Sequence, residues 1–246
     1  DYYFQYQKSL AENYYIPRLK SWDAEISSSW NILDIGCGDG GFISAFADLG
    51  CTCTGVEIRD FSWTVRDNVT YLIGDINQEA FLQKLEENLD LIILRDVIEH
   101  IPQNRKSDFL NSICKVMSMH TLLLVTFPPF YSPFGLHQQA LFNSFFRFFP
   151  YLSWIPGRLL IPLIKFMGDE NNLSEIIEIY DSKMTINKFT RLINELEFTI
   201  KNQEKYHIRP SHEIRYGLKM RKACCADFPI IREGLISGCT YLIGKR

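Results

Sequence analysis

The sequence has no excess of charge of either sign. Its 26 Lys and Arg stand against 29 Asp and Glu, for a net charge of −3, so there is no broad positive field to hold a phosphate backbone, and nucleic acid is not an expected partner. It also has no Cys-x-x-Cys pair. The seven cysteines, Cys37, Cys51, Cys53, Cys114, Cys224, Cys225 and Cys239, are odd in number and form no spaced cluster with histidine. That excludes a zinc motif and a disulfide framework, and it reads as reduced thiols in a cytoplasmic protein. No metal is expected. The opening stretch DYYFQYQKSL lacks a basic n-region and an apolar h-region, so no secretory leader is expected. Internal repeats and low-complexity tracts are absent as well.

What is present is an ordinary globular mix, 46% hydrophobic and 22% charged over 246 residues. That is enough chain for one domain, or at most two, with a sizeable core. Apolar runs at Asn31 to Ile35, Thr52 to Glu57, Thr70 to Ile73, Leu89 to Arg95 and His120 to Phe127 predict buried parallel strands. Helical spacers are predicted at Gly41 to Leu49, near Phe61 to Arg66, at Asn77 to Asn88 and at Gln103 to Met119. In the last of these, Pro102 starts the helix, and Phe109, Leu110 and Ile113 fall at three- and four-residue spacing. The alternation predicts an α/β fold with a doubly wound, mostly parallel sheet. Further on, Ile186, Phe189, Leu192, Ile193 and Leu196 predict an amphipathic helix. Strands near Phe198 to Asn202 and Cys239 to Ile243 then predict an antiparallel pair on the sheet edge.

The most informative stretch is Asn31 to Gly41, N-I-L-D-I-G-C-G-D-G-G. A strand that runs into a glycine-rich turn and then a helix lets backbone approach a ligand closely. Gly36, Gly38 and Gly41 fit the dinucleotide pattern, and Glu57 lies 21 residues beyond Gly36 where a ribose-binding acid is expected. Charge argues against a dinucleotide. A pyrophosphate needs unopposed N–H groups at the helix start, whereas Asp34 and Asp39 flank this turn and suit a cationic ligand. Leu33 to Gly40 resembles the first motif of class I S-adenosylmethionine-dependent methyltransferases.

The resemblance implies a seven-stranded Rossmann-like sheet and S-adenosylmethionine as cofactor. It implies cofactor contacts from Asp34, Gly36, Cys37, Gly38 and Gly40, with Glu57 on the ribose hydroxyls and Ile58 beside it. Asp75 and Ile76, after the third strand, would take the adenine, and Arg95, Asp96 and Val97 would border the methionine end. The run from Leu91 to Ile101 is similar to the segment ending in Glu-His that many small-molecule methyltransferases carry. His100 then either fixes the loop or faces the reacting methyl group. The likeness is good over residues 31 to 127 and holds only in outline over 185 to 243.

Methyl transfer from a sulfonium needs alignment, and it needs a base only when the nucleophile carries a proton of high pKa. The stretch from Phe127 to Gln138 leaves the sheet beside the cofactor, so it is expected to wall an acceptor pocket. It is loosely similar to a stretch of bacterial methyltransferases found among glycan-assembly enzymes. His137 would deprotonate an acceptor hydroxyl or else bond a neighbouring loop, and Tyr131 or Gln138 would orient the acceptor.

Between Pro128 and Pro162 lie six of the ten prolines, and between Phe127 and Phe166 nine of the eighteen phenylalanines. Proline at that density forbids a long helix. A membrane span is not expected, because Arg147, Pro150, Pro156, Arg158 and Pro162 interrupt every window of about 20 residues. Three readings stay open for this segment: a lid over an apolar acceptor, a homodimer interface, or peripheral membrane contact. Asp169, Glu170, Glu175, Glu178 and Asp181 mark the return to solvent. The basic stretch from Tyr206 to Lys222 reads as a solvated face, with an anionic substrate or headgroup as the other reading. Tyr14, Tyr15 and Arg18 are candidates to cap the cofactor's carboxylate.

The expected organisation is an N-terminal helical cover (1–30), a cofactor half (31–127), the apolar insertion (128–183) and a C-terminal helix with edge strands (184–246). The expected chemistry is O-methylation of a small or lipid-linked molecule, with a sugar hydroxyl as one candidate. The rivals are N-methylation of a small amine, an NAD-dependent oxidoreductase, and a non-catalytic methyltransferase-like scaffold.

Overall fold

The computed structural model describes residues 2–85, 88–166, 172–223 and 229–246. Of the residues singled out above, Asp169, Glu170, Cys224 and Cys225 lie outside them. The helices, in chain order, are α1 (Tyr2–Leu10), α2 (Ile16–Ser21), α3 (Gly41–Ala47), α4 (Glu79–Leu82), α5 (Lys106–Val116), α6 (Gln138–Leu141), α7 (Gly157–Phe166), α8 (Leu173–Ser182), α9 (Ile186–Glu195), α10 (Pro210–Tyr216) and α11 (Pro229–Leu235). The strands are β1 (Asn31–Ile35), β2 (Thr52–Glu57), β3 (Val69–Ile73), β4 (Leu91–Arg95), β5 (Leu122–Phe127), β6 (Phe198–Ile208), β7 (Arg221–Lys222) and β8 (Gly238–Lys245).

The strands form one sheet in the order β3-β2-β1-β4-β5-β8-β6-β7. The first five pair in parallel, and β8 runs antiparallel to both β5 and β6. The expected C-terminal antiparallel pair is therefore present, with β8 lying between β5 and β6. The sheet has eight strands rather than seven. The extra one, β7, is a charged, exposed pair of residues against the end of β6, too short and too polar to leave an apolar pattern.

Alternation along each strand distributes the core to two faces. Leu33, Ile92, Leu94, Leu123 and Val125 pack with Phe109, Leu110 and Ile113 of α5 and Phe189, Leu192 and Ile193 of α9. Their neighbours Ile32, Leu91, Ile93 and Leu124 pack on the other face with Phe42, Ile43 and Phe46 of α3 and with Leu10 and Leu19 of the N-terminal helices. Burial on both faces explains why these strands read as unbroken apolar runs. The start of α9 is fixed by Thr185, whose hydroxyl accepts from Lys188 N at 3.2 Å.

Two predicted helices are corrected. Among the described residues of the Asn77 to Asn88 segment, α-helix covers only the four residues of α4, which suffice to bury Phe81 and Leu82. No helix forms near Phe61 to Arg66: the chain there is a loop until Arg66 bridges to Val69.

The proline-rich excursion leaves β5 and builds a small core of its own. Phe130, Leu136, Phe142, Leu152, Leu160, Ile164, Ile176 and Ile179 are buried against one another, apart from the two clusters that flank the sheet. Only short helices and single 3-10 turns occur before α7, as the proline spacing requires.

Candidate functional site

The strand order reverses direction between β1 and β4, and ligands of open α/β sheets bind beyond the carboxyl ends of the strands at such a point. The glycine turn after β1 and the Asp96 turn after β4 meet there. Gly36, Gly38 and Gly40 all have positive φ, at 74°, 55° and 81°. A Cβ on Gly36 would stand 2.4 Å from Val97 Cγ2, so glycine at this position lets the two turns touch. Above Gly38 the situation is the opposite. A Cβ there would meet no atom within 4 Å, which marks open space over the turn.

Acidic groups surround that opening. Glu57 accepts from Gly38 N at 3.2 Å and from Ile58 N at 2.8 Å. Asp39 Oδ1 accepts from Gly41 N at 3.1 Å and so occupies an N–H at the start of α3. Asp34 is buried at the end of β1, and burial raises its carboxyl to about 7 against the lowering effect of Arg95. A turn lined with carboxylates, with a helix N–H already taken, fits a cationic ligand without phosphate. Cys37 is buried, with its thiol raised by burial, and its backbone N–H donates to Val56 O, so its side chain packs inward. Ile58 is exposed. Asp75 Oδ1 accepts from the backbone and side-chain nitrogens of Asn77, its Oδ2 faces Arg105 at 3.5 Å, and Ile76 is buried.

Two aromatic residues at this opening escaped the sequence reading. Trp63 Nε1 donates to Gly38 O at 2.7 Å, and its ring stacks on Tyr71 at 4.8 Å and an interplanar angle of 1°. The only signal was an aromatic pair, Phe61 and Trp63, in a polar loop just after Glu57.

On the β4 side, Asp96 has φ of 54° and sits between two arginines. Arg209 approaches its oxygens at 3.3 and 3.4 Å, Arg95 stands 3.5 Å away, and Thr126 Oγ1 donates at 3.1 Å. Burial alone would raise Asp96, but Arg209 and Arg95 outweigh it and hold the carboxyl at about 2. Arg95 in turn lies over the Phe42 ring at 4.9 Å. Tyr15, Arg95, Asp96, Arg209 and Thr240 line one small cavity. Tyr14 and Arg18 do not reach it. Both bind Glu204 on β6, which corrects their assignment as cofactor caps and makes them a clamp for the N-terminal cover.

A second cavity opens beside the loop after β5, lined by Ser132, His137, Arg209, His212, Arg215 and Ser237 among others, with no acid in its wall. The basic stretch is thus more than a solvated face, because three of its residues turn into this cavity. His137 Nε2 lies 3.7 Å from Glu99 Oε1, and its ring is 5.4 Å from that of His100 in an edge-on arrangement. The donor atoms of Glu99, His100 and His137 all lie within 4.8 Å of one another. Burial, reinforced by His100 and Arg209, pushes His137 down to about 3, and burial raises Glu99 well above the usual carboxylate range. The imidazole is therefore neutral. Lys106 supports the loop from beneath, donating to Ile98 O, Ile101 O and Ser182 Oγ while burial lowers its amine to about 7.

Gln138 takes a role the sequence did not suggest. Fully buried, it donates to Pro133 O at 3.2 Å and Phe149 O at 2.9 Å, which ties the excursion to the loop after β5. Tyr131 packs edge-on against Phe130 and Trp154.

Residues 6–160 match the family model described as a methyltransferase domain. A ubiquinone biosynthesis O-methyltransferase of Pseudomonas fluorescens is 30% identical over 79 residues, which are 29% of this chain and 33% of that protein. The matched stretch thus spans about a third of the curated relatives' length. An S-adenosylmethionine-dependent methyltransferase from Archaeoglobus fulgidus superposes with a TM-score of 0.55 at 17% identity, covering 100% of both chains. A magnesium protoporphyrin IX methyltransferase from Synechocystis, solved with bound S-adenosylhomocysteine, superposes with a TM-score of 0.52 at 12% identity, covering 98% of this chain and 83% of that one. At these identities the likeness is one of fold.

Proposed function

The chain belongs to the methyltransferase-domain family, and on that premise we propose that it uses S-adenosylmethionine and methylates a hydroxyl of a small or lipid-linked acceptor that carries an anionic group. The cofactor supplies an electrophilic methyl on a sulfonium. In this reading the open space over Gly38 receives it, with Gly36, Cys37 and Gly40 contributing backbone and Asp34 a buried carboxyl that the cation's approach would help to ionise. Glu57 exchanges its bond to Gly38 N for the ribose hydroxyls, and Ile58, Asp75 and Ile76 border the adenine. Arg95, Asp96 and Val97 border the methionine end.

The acceptor then occupies the cavity of Ser132, His137 and Arg209. The observation that carries this reading is the cavity wall itself, in which His137 stands with Ser132, Arg209 and Arg215 and no acid. Burial holds His137 neutral and too weakly basic to carry the hydroxyl proton away, so its part is to orient the acceptor hydroxyl, and the proton passes to solvent as the oxygen attacks the methyl group. His100 packs beside His137 and fixes its orientation. The acid-free wall with Arg209 and Arg215 favours a carboxylate or phosphate on the acceptor, and it repels the ammonium form of a small amine. Incubation with labelled S-adenosylmethionine and fractions of anionic glycans, lipids and organic acids tests this. Label in an acidic fraction as a base-stable ether is the expected result, and label in an amine fraction overturns it.

A further inference from the structure

The lobe built between β5 and α9 carries more apolar surface than its own core can use. Phe145, Phe148 and Phe166 are 70%, 64% and 85% exposed, and Trp154, Leu159 and Leu163 also face outward. They fall in local groups. Phe145 lies 5.2 Å from Phe149 and 6.1 Å from Phe148, and Tyr151 lies 5.9 Å from Trp154. On α7, Leu159, Leu163 and Phe166 fall at helical spacing on the outer side, while Leu160 and Ile164 fill the inner core. Arg147, Arg158 and Lys165 are set among these residues, and from 127 to 166 there is no acid. The Arg147 guanidinium lies over the Phe148 ring at 5.5 Å.

The lobe's shape is held without the exposed phenylalanines and leucines. Trp154 Nε1 donates to Tyr131 O, Tyr180 OH to Ile155 O, and Gln138 Nε2 to Phe149 O. The exposed Phe145, Phe148 and Phe166 are therefore surplus to the fold. They are also not the inner face of a lid, since the residues of this lobe that line the proposed acceptor cavity are Pro128, Ser132, Phe134, His137, Gln139 and Ala140, none of them among the exposed rings.

We propose that this outer face docks on a lipid bilayer with anionic headgroups, the rings entering the interface and Arg147, Arg158 and Lys165 meeting the phosphates. Charge selects the lipid over a second copy of the chain. A two-fold interface on this face would bring six cations together with no acid of the segment to pair them. The contact is interfacial, because no helix among the described residues is long and apolar enough to cross a membrane. It also bears on the acceptor: Arg147 donates to Gln139 O at 3.2 Å, so the docked face adjoins the cavity wall. The proposal holds whatever the acceptor is.

Flotation with vesicles of phosphatidylcholine, with and without phosphatidylglycerol, tests it on the whole chain. The wild type is expected to float with both, and far more with phosphatidylglycerol. Phe145→Ser, Phe148→Ser and Phe166→Ser together should lower binding to both vesicles tenfold or more, as loss of buried apolar area requires. Arg147→Gln, Arg158→Gln and Lys165→Gln together should cost roughly a hundredfold on phosphatidylglycerol, about fivefold per cation, and remove the preference for it. Calorimetry with S-adenosylhomocysteine should show unchanged affinity in both variants. A wild type that stays unbound to either vesicle overturns the proposal. So does a dimer that the serine variant dissociates while vesicle binding persists, and so does a glutamine variant that keeps its preference for phosphatidylglycerol.

Discussion

Glu99 Oε1 stands 3.7 Å from His137 Nε2, and neither atom has a hydrogen-bond partner among the described residues. A buried carboxyl and a buried imidazole left this way are costly to the fold, which makes them the pair to test first. His137→Ala is expected to lower kcat by about 10- to 100-fold through lost alignment of the acceptor. The Kd of S-adenosylhomocysteine should change by no more than about threefold, because this side chain faces the acceptor cavity. Equal loss of both would make His137 a packing residue.

For the cofactor, Gly38→Arg places a long cation in the open space over the turn and in a backbone of φ 55°. Binding of S-adenosylhomocysteine should be abolished in calorimetry. The melting temperature should fall only modestly, since the strain is on the order of 1–3 kcal/mol. Retained binding would place the cofactor elsewhere.

Asp34 predicts a pH dependence. Its folded carboxyl titrates at about 7 against 3.8 as the ordinary value. Between those values the native state holds a proton that the unfolded chain has lost, so stability falls as pH rises through this window. Asp34→Asn removes that dependence. In urea unfolding the variant should therefore gain on the wild type between pH 5 and pH 7.5, and a constant difference between them would show that burial does not hold the proton.

Arg209 lines both cavities and binds Asp96 through two nitrogens. Arg209→Lys keeps the charge but loses the fork. The expected result is an acceptor KM raised by about tenfold or more, with smaller loss for acceptors lacking an anionic group. A KM that ignores acceptor charge would remove Arg209 from acceptor recognition.

Trp63→Leu removes both the stack on Tyr71 and the bond to Gly38 O. Cofactor affinity should fall by about tenfold, equivalent to roughly 1.4 kcal/mol. Trp63→Phe, which keeps the stack, should recover part of it. Fluorescence of the wild type should respond to S-adenosylhomocysteine, and a Trp63→Phe protein should lose that response.

What the sequence reveals is what is local in it. Asn31 to Gly41 carries a strand, a turn and a helix start within eleven residues, and Glu57 and Asp75 follow at the next two strand ends, so the cofactor half reads directly from the chain. The acceptor half does not. Asp96 and Arg209 are 113 residues apart, and no periodicity links them. For that reason Arg209, His212 and Arg215 look like solvated charge until β6 and α10 bring them over the cavity. Gln138, a polar residue in an apolar stretch, looks like a substrate contact because sequence cannot show that Pro133 O and Phe149 O are waiting for its amide. Tyr14 and Arg18 mislead for the same reason, since their partner Glu204 lies at the far end of the chain. Glu99 is visible beside His100, but its isolation from donors appears only when His137 closes over it.

The placement of β8 between β5 and β6 has a consequence for biosynthesis. It is the last of the eight strands to leave the ribosome, yet it occupies the gap on which the far edge depends. Until Gly238 to Lys245 emerges, the nascent sheet ends at β5, and β6 has only the two residues of β7 to pair with. Phe127 and Phe198, both fully buried in the finished sheet, are then left beside open edges. A chain truncated before Gly238 should therefore leave two unpaired strand edges and aggregate more readily than the whole.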